Sequence, residues 1–267
     1  MKRILTGTLL LTLALAGAKD KPEIPADLLD DQHFRNESGL NEFTVPSIAK
    51  VFDELEKVSP LAYESEHLKQ HERLPLDRSQ LAMRLGTLIA DGFIAVQTGN
   101  PQDVETIASH LSRYAKALGA GDRIKKHAAA LLEHAKAKDL KKLKLALAAT
   151  QRDVERELVG LRDPDLSHLI SLGGWLQALD SAALAVDKQF TPDRALLLFR
   201  EDIADYYSES IGSLNPALSQ KKHMLQMRVL LQGLRVSMVL DEGVKPTAAQ
   251  VKEVTEISAR LVKLARN

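Results

Sequence analysis

Cysteine is absent from the 267-residue chain, which excludes disulfide scaffolds, thiol catalysis, cysteine zinc sites, covalent c-type haem and iron–sulfur clusters. Aromatic residues are scarce, with one Trp, four Tyr and six Phe, so any core must be filled by Leu, Ala, Ile and Val. Neither sign of charge is in excess: 36 basic side chains balance 36 acidic ones. That balance removes the electrostatic reason to expect nucleic acid as a partner. The sequence also lacks a Gly-x-Ser-x-Gly elbow, a phosphate loop, a dinucleotide fingerprint and a His-Glu-x-x-His pair. Beyond residue 18 no stretch approaches eighteen apolar residues without charge, so no stable membrane insertion is expected of the processed chain.

Hydrophobic residues make up 45% of the chain and charged residues 27%, a balance that fits a soluble globular protein and excludes a wholly disordered one. The first eighteen residues have the layout of a secretory signal peptide: Met1-Lys2-Arg3, an apolar run from Ile4 to Leu15, then small residues at Ala16-Gly17-Ala18. Cleavage there removes Lys2 and Arg3 and takes the formal charge from zero to −2. The expectation is export to the periplasm or beyond, in a bacterial envelope. Residues 19–44 read as an acidic, partly flexible leader carrying Asp20, Glu23, Asp27, Asp30, Asp31, Glu37 and Glu42.

From residue 45 to 267 the chain reads as one all-α domain, a multi-helix antiparallel bundle of about 8–10 helices. Apolar residues recur at spacings of three and four, and alternating strand-type runs are absent. Punctuation divides it into helices over about 46–58, 61–73, 77–97, 101–118, 122–138, 139–161, 164–188, 192–212, 216–241 and 247–265. Short loops between them favour antiparallel neighbours. Two stripes of small residues point to close helix contacts. One holds Ser167, Ser171, Gly174, Ala178, Ser181 and Ala185, the other Ala82, Gly86 and Ala90. Glycine inside a helix costs about 1 kcal/mol relative to alanine, so close packing must offset it.

Four groups of side chains carry candidate chemistry. Glu64, His67 and His71 share a face if residues 61–73 are helical, and would then form half of a metal site, although a second Glu-x-x-His is missing. Arg84 and Asp91 lie seven apart on an otherwise apolar helix, and Arg228 and Arg235 form a similar stripe further on. Asp202, Asp205 and Glu209 are available to face those arginines in an ion-pair network that sets helix register. His168 and Trp175, also seven apart, are possible ligand-lining residues, including for haem. Finally, residues 116–144 hold nine basic and three acidic side chains, a patch for an anionic partner or for solubility. Taken together, the residues imply no cofactor. They point to a non-catalytic binding or scaffold protein of the envelope, whose partner is another envelope protein or a small ligand. The alternatives are a metal- or haem-binding bundle and, third, an enzyme whose site is assembled across helices.

Overall fold

A computed structural model describes residues 24, 25, 27, 46–64, 68, 69 and 71–267, with the backbone alone at 122–125. The expected signal peptide lies outside the described residues, and so does the acidic leader apart from Ile24, Pro25 and Asp27. Regular structure among the described residues is helical throughout. In chain order the helices are α1 (Ile48–Leu55), α2 (Arg78–Gln97), α3 (Val104–Leu118), α4 (Gly121–Lys136), α5 (Leu140–Gly160), α6 (Asp165–Lys188), α7 (Pro192–Leu196), α8 (Glu201–Ser213), α9 (Pro216–Ser219), α10 (Lys222–Met238) and α11 (Ala248–Arg266).

Polar caps start five of the helices where the sequence places them, because each supplies an acceptor for an otherwise orphaned backbone N–H, whereas α4 and α6 start at Ala120 and Pro164 without a side-chain cap. Asp77 accepts from the backbone of Ser79 and Gln80, Asp139 from Lys142, Thr191 from Arg194 and Asn215 from Ala217. Thr247 and Gln250 form a reciprocal capping box at the head of α11. Gly119, with φ of 94°, ends α3 in the left-handed conformation that only glycine adopts without strain.

Three expected helices differ from the structure, each at a point where the chain makes a tertiary contact. Leu61–Glu64 is irregular rather than helical. Its backbone is tied to α6, the Ala62 N–H donating to the Ser181 carbonyl at 3.3 Å and the Ser181 hydroxyl to the Ala62 carbonyl. The expected helix over 192–212 breaks at Leu197–Arg200, where Leu198 turns into the core and Arg200 pairs with Asp27 and Asp202. The expected helix over 216–241 breaks at Lys221, whose backbone is extended (φ −66°, ψ 143°) while its ammonium reaches Asp77 at 2.5 Å. The longest helix among the described residues is therefore α6.

The architecture is built on α2 and α6. Both are apolar or small on every side, with 16 of 20 and 19 of 24 residues buried respectively, and a helix of that kind belongs in the interior. By length and composition α6 (hydropathy 1.4) could cross a membrane, but 94% of its most apolar window is buried inside the protein. α1, α5 and α3 cover one side of the pair, with α4 bridging α3 and α5. On the other side α11 packs against both central helices and α10 packs on α11; α8 packs on α10 and, through Tyr206 and Tyr207, on α6. Buried apolar residues from Ile48 to Ala265 form one continuous cluster.

The small-residue stripes are close-contact surfaces, though their partners divide in a way that spacing alone does not reveal. Gly86 on α2 lies directly against the carbonyl oxygen of Ile170 and the amide of Gly174. Gly173 lies against the carbonyl of Met83, so the two backbones touch. The expected α6 stripe, one residue round from Gly173, receives the chain before α2 instead. Ser171 donates to the Pro46 carbonyl, Gly174 meets Ile48, and Ser181 holds Ala62. A Cβ at Gly86 or Gly173 would overlap backbone that cannot yield. Gly86→Ala and Gly173→Ala are each expected to cost about 3 kcal/mol in urea unfolding. Gly233→Ala, where an added Cβ meets nothing within 4 Å, is expected to gain about 0.5–1 kcal/mol.

Candidate functional site

The apolar interior contains one concentrated polar region, where α2, α3, α6, α11 and the segment before α2 converge. Asp91 lies at its centre, a carboxylate with 0% exposure on the most enclosed part of α2. His71, also 0% exposed, brings Nε2 to 3.7 Å from Asp91 Oδ2. Arg266, from the last turn of α11, places a guanidinium nitrogen 3.6 Å from Asp91 Oδ1 and donates to Gln177 Oε1 on α6 at 2.5 Å. Ser258 on α11 donates to Asp180 on α6 at 3.1 Å. Burial raises the Asp180 carboxyl above its ordinary range, with Ser258 and then Arg266 opposing.

α3 closes this region with His110 and Tyr114. The His71 ring lies 6.1 Å from the His110 ring and meets Tyr114 edge-on at 5.6 Å. Burial lowers the His110 pKa, with His71 and Arg113 adding to the effect. Arg113 donates to the Glu72 carbonyl at 2.7 Å and Arg84 to the Arg73 carbonyl at 3.0 Å, holding the segment before α2 over the cluster. Among the described residues, the ring nitrogens of His71 and the oxygens of Asp91 have no hydrogen-bond partner. Their 3.6–3.7 Å separations from one another and from Arg266 lie just beyond direct hydrogen bonding. The chemistry available here is electrostatic: a buried anion held between an imidazole and a guanidinium.

A second cluster pins the start of α2 to α10. The Ser79 hydroxyl contacts Asp77 and lies 2.9 Å from His223 Nε2, while Lys221 reaches the other Asp77 oxygen. These are the residue types of a nucleophilic triad, but the protons run the wrong way. A carboxylate only accepts, so Ser79 donates to Asp77 and must accept from the His223 N–H. An imidazole acting as general base would have to accept from the serine. With Ser79 fully buried, the arrangement is a helix cap cross-linked to a second helix. Burial opposes ionisation of Asp77, but the bonds from Lys221, Ser79 and Gln80 outweigh it and bring its pKa down to about 2.

The expected site residues divide as follows. Of the metal half-site, His67 lies outside the described residues, Glu64 is exposed on irregular chain and His71 is buried. Glu64 lies outside any helix, so it and His71 do not share a helical face, and no group of three potential ligands is arranged for a metal among the described residues. Arg84 and Asp91 do face inward, to Tyr114 and to His71 respectively. The second stripe is a surface feature: Arg235 binds Asp205 at 2.9 Å and Glu201 at 3.3 Å, all half-exposed. Asp202 pairs with Arg200 instead, Arg228 lies beside Gly212, and Glu209 is exposed. His168 and Trp175 belong to one aromatic ladder. His168 Nδ1 is 3.2 Å from the Tyr206 hydroxyl, Tyr206 meets Tyr207 edge-on, and Tyr207 stacks on Trp175 at 5.1 Å. Trp175 also borders a 130 Å³ cavity with Val51, Leu55 and Ile203. In the basic stretch, Lys116, Lys126, Lys138 and Lys141 are exposed, Lys142 pairs with Asp139 and Lys144 with Glu56.

Sequence reading misses His110, Tyr114, Gln177 and Arg266 as members of the interior cluster. The one signal that could have found them is the unbalanced charge of Asp91 in an apolar helix, which requires a cation from elsewhere. No family model matches the chain, and neither a curated protein nor a solved structure matches it.

Two measurements test the cluster. Arg266→Met leaves a buried carboxylate short of its cation and is expected to cost about 3 kcal/mol in chemical unfolding. His110 and His223 both have folded pKa values held below the ordinary 6.5, chiefly by burial. The unfolded chain therefore takes up their protons first, and stability is lost as pH falls below about 6.5. Thermal unfolding against pH is expected to show this slope, and His110→Gln to flatten it.

Proposed function

We propose that the chain is an exported, non-catalytic binding or scaffold protein of the cell envelope. The observation that carries this reading is the placement of its reactive side chains. Asp91, His71 and Ser79 are enclosed by the very helices they join, and catalytic groups must reach a substrate. Outward, the described helices present exposed apolar side chains such as Leu145, Val229 and Val236 among charged ones. The layout of residues 1–18 supports export.

A second reading, in which a small polar ligand binds at Asp91, is favoured by the lack of hydrogen-bond partners for Asp91 and His71 among the described residues. Native mass spectrometry and an absorption spectrum of protein purified from its own envelope separate the two. The proposed function expects the mass of the polypeptide and a spectrum without visible bands. A stoichiometric metal or haem would contradict it. An organic adduct lost in Asp91→Asn would establish the second reading instead.

A further inference from the structure

We propose that the outer face of the α10–α11 hairpin is a two-fold interface with a second copy of this chain. The inference goes beyond the proposed function and holds for either reading of the interior.

Apolar side chains face outward on α10: Val229 and Val236 are 67% and 70% exposed, and Leu225 is 44% exposed. Leu225 and Val229 border a 590 Å³ groove between α10 and α11, lined also by Leu230, Arg260, Lys263 and Leu264. Gly233 leaves the middle of α10 flat, with open space where a side chain would stand. A run of exposed aliphatic side chains beside a groove marks an interaction surface.

The charges on α11 identify the occupant. Glu253, Glu256, Arg260 and Lys263 are all exposed and recur at spacings of three, four and three, along one face of the helix. The acidic pair precedes Ser258 and the basic pair follows it. Glu253 and Lys263 stand five residues either side of Ser258, and Glu256 and Arg260 two either side. When two copies of such a helix meet antiparallel, Glu253 of one faces Lys263 of the other and Glu256 faces Arg260, in one register. The face is complementary to itself under a two-fold rotation, as an isologous interface requires.

α10 obeys the same axis. Ser237 donates to Glu253 at 2.8 Å at one end of the hairpin, and Leu225 and Leu264 border the groove at the other. The helices are thus antiparallel, with Ser258 level with Leu231 and Gln232. Leu225, Val229, Gln232 and Val236 are spaced four, three and four, symmetric about the step from Leu230 to Leu231. The apolar stripe and the charge stripe therefore turn about the same level to within about one residue, or 1.5 Å of helix rise. Rotation brings Leu225 opposite Val236 and buries the aliphatic stripe beside the paired charges.

Sedimentation velocity on the full-length chain, on two charge-reversed variants and on their mixture tests the proposal. The natural chain is expected to dimerise below about 100 μM. E253K/E256K makes the face wholly basic and R260E/K263E makes it wholly acidic. Each variant alone is expected to dimerise at least about tenfold more weakly, with the helical fold retained because all four residues are exposed. An equimolar mixture restores every pair and is expected to form the heterodimer. V229E, placed in the apolar stripe, is expected to be monomeric as well. A natural chain that stays monomeric overturns the proposal and leaves the face to a different protein. A dimer indifferent to these variants, or a mixture that fails to associate, overturns it equally.

Discussion

The backbone contact between α2 and α6 is the constraint on which the other helices depend. At Gly86 and Gly173 the two helices approach until main chain meets main chain, closer than any pair of side chains would allow. What the glycines lose in helix propensity, dense dispersion contact between backbones returns. The contact also fixes the vertical register of the pair, because a carbonyl of each helix occupies the notch of the other. Asp91 stands five residues beyond Gly86 and Gln177 four beyond Gly173, so the crossing sets the height of the interior polar cluster. Arg266, reaching that cluster from the final turn of α11, ties the end of the chain to its middle.

A buried ion cluster is a costly way to hold helices together, since desolvation opposes the Coulombic gain. Its effect here is to select one arrangement. An alternative register of α11 would leave Asp91 without its guanidinium and Asp180 without Ser258. The same function is served at the opposite end of α2 by Asp77, Ser79, Lys221 and His223, which join it to the head of α10. The hairpin of α10 and α11 is thus secured at its open end, through the head of α10 and the last turn of α11. Half-exposed pairs such as Arg235 with Asp205 add little, about 0–1 kcal/mol each.

Local chemistry made much of this legible in sequence. Asp77, Asp139, Asn215 and Thr247 announce helix starts because a short side-chain acceptor meets the need of a helix N-terminus wherever it occurs. Gly86 announces close approach, and Arg84 and Asp91 announce a polar partner inside the bundle. Legibility ends where a distant contact overrides local preference. Leu61–Glu64 has helix-forming residues, yet its backbone bonds to Ser181, more than a hundred residues away. Lys221 interrupts a continuous helical pattern because its ammonium is needed at Asp77. The α6 stripe was readable as a seam, but its partner was not: a shift of one residue, about 100° around a helix, separates the surface facing α2 from the one receiving Pro46 and Ile48. Arg266 carried no local signal at all, being one basic residue among several near a helix end.

The central claim is that the α2–α6 crossing is the most stable part of the molecule and that the other helices are held by it. Native-state hydrogen exchange, read residue by residue, tests this most directly. The account expects the slowest amides at Leu81–Ile94 and Leu169–Ala182, opening only with global unfolding, and α10, α11 and the segment before α2 opening at lower free energy. Equal or greater protection in α10 and α11, with α2 or α6 exchanging by local opening, would contradict it.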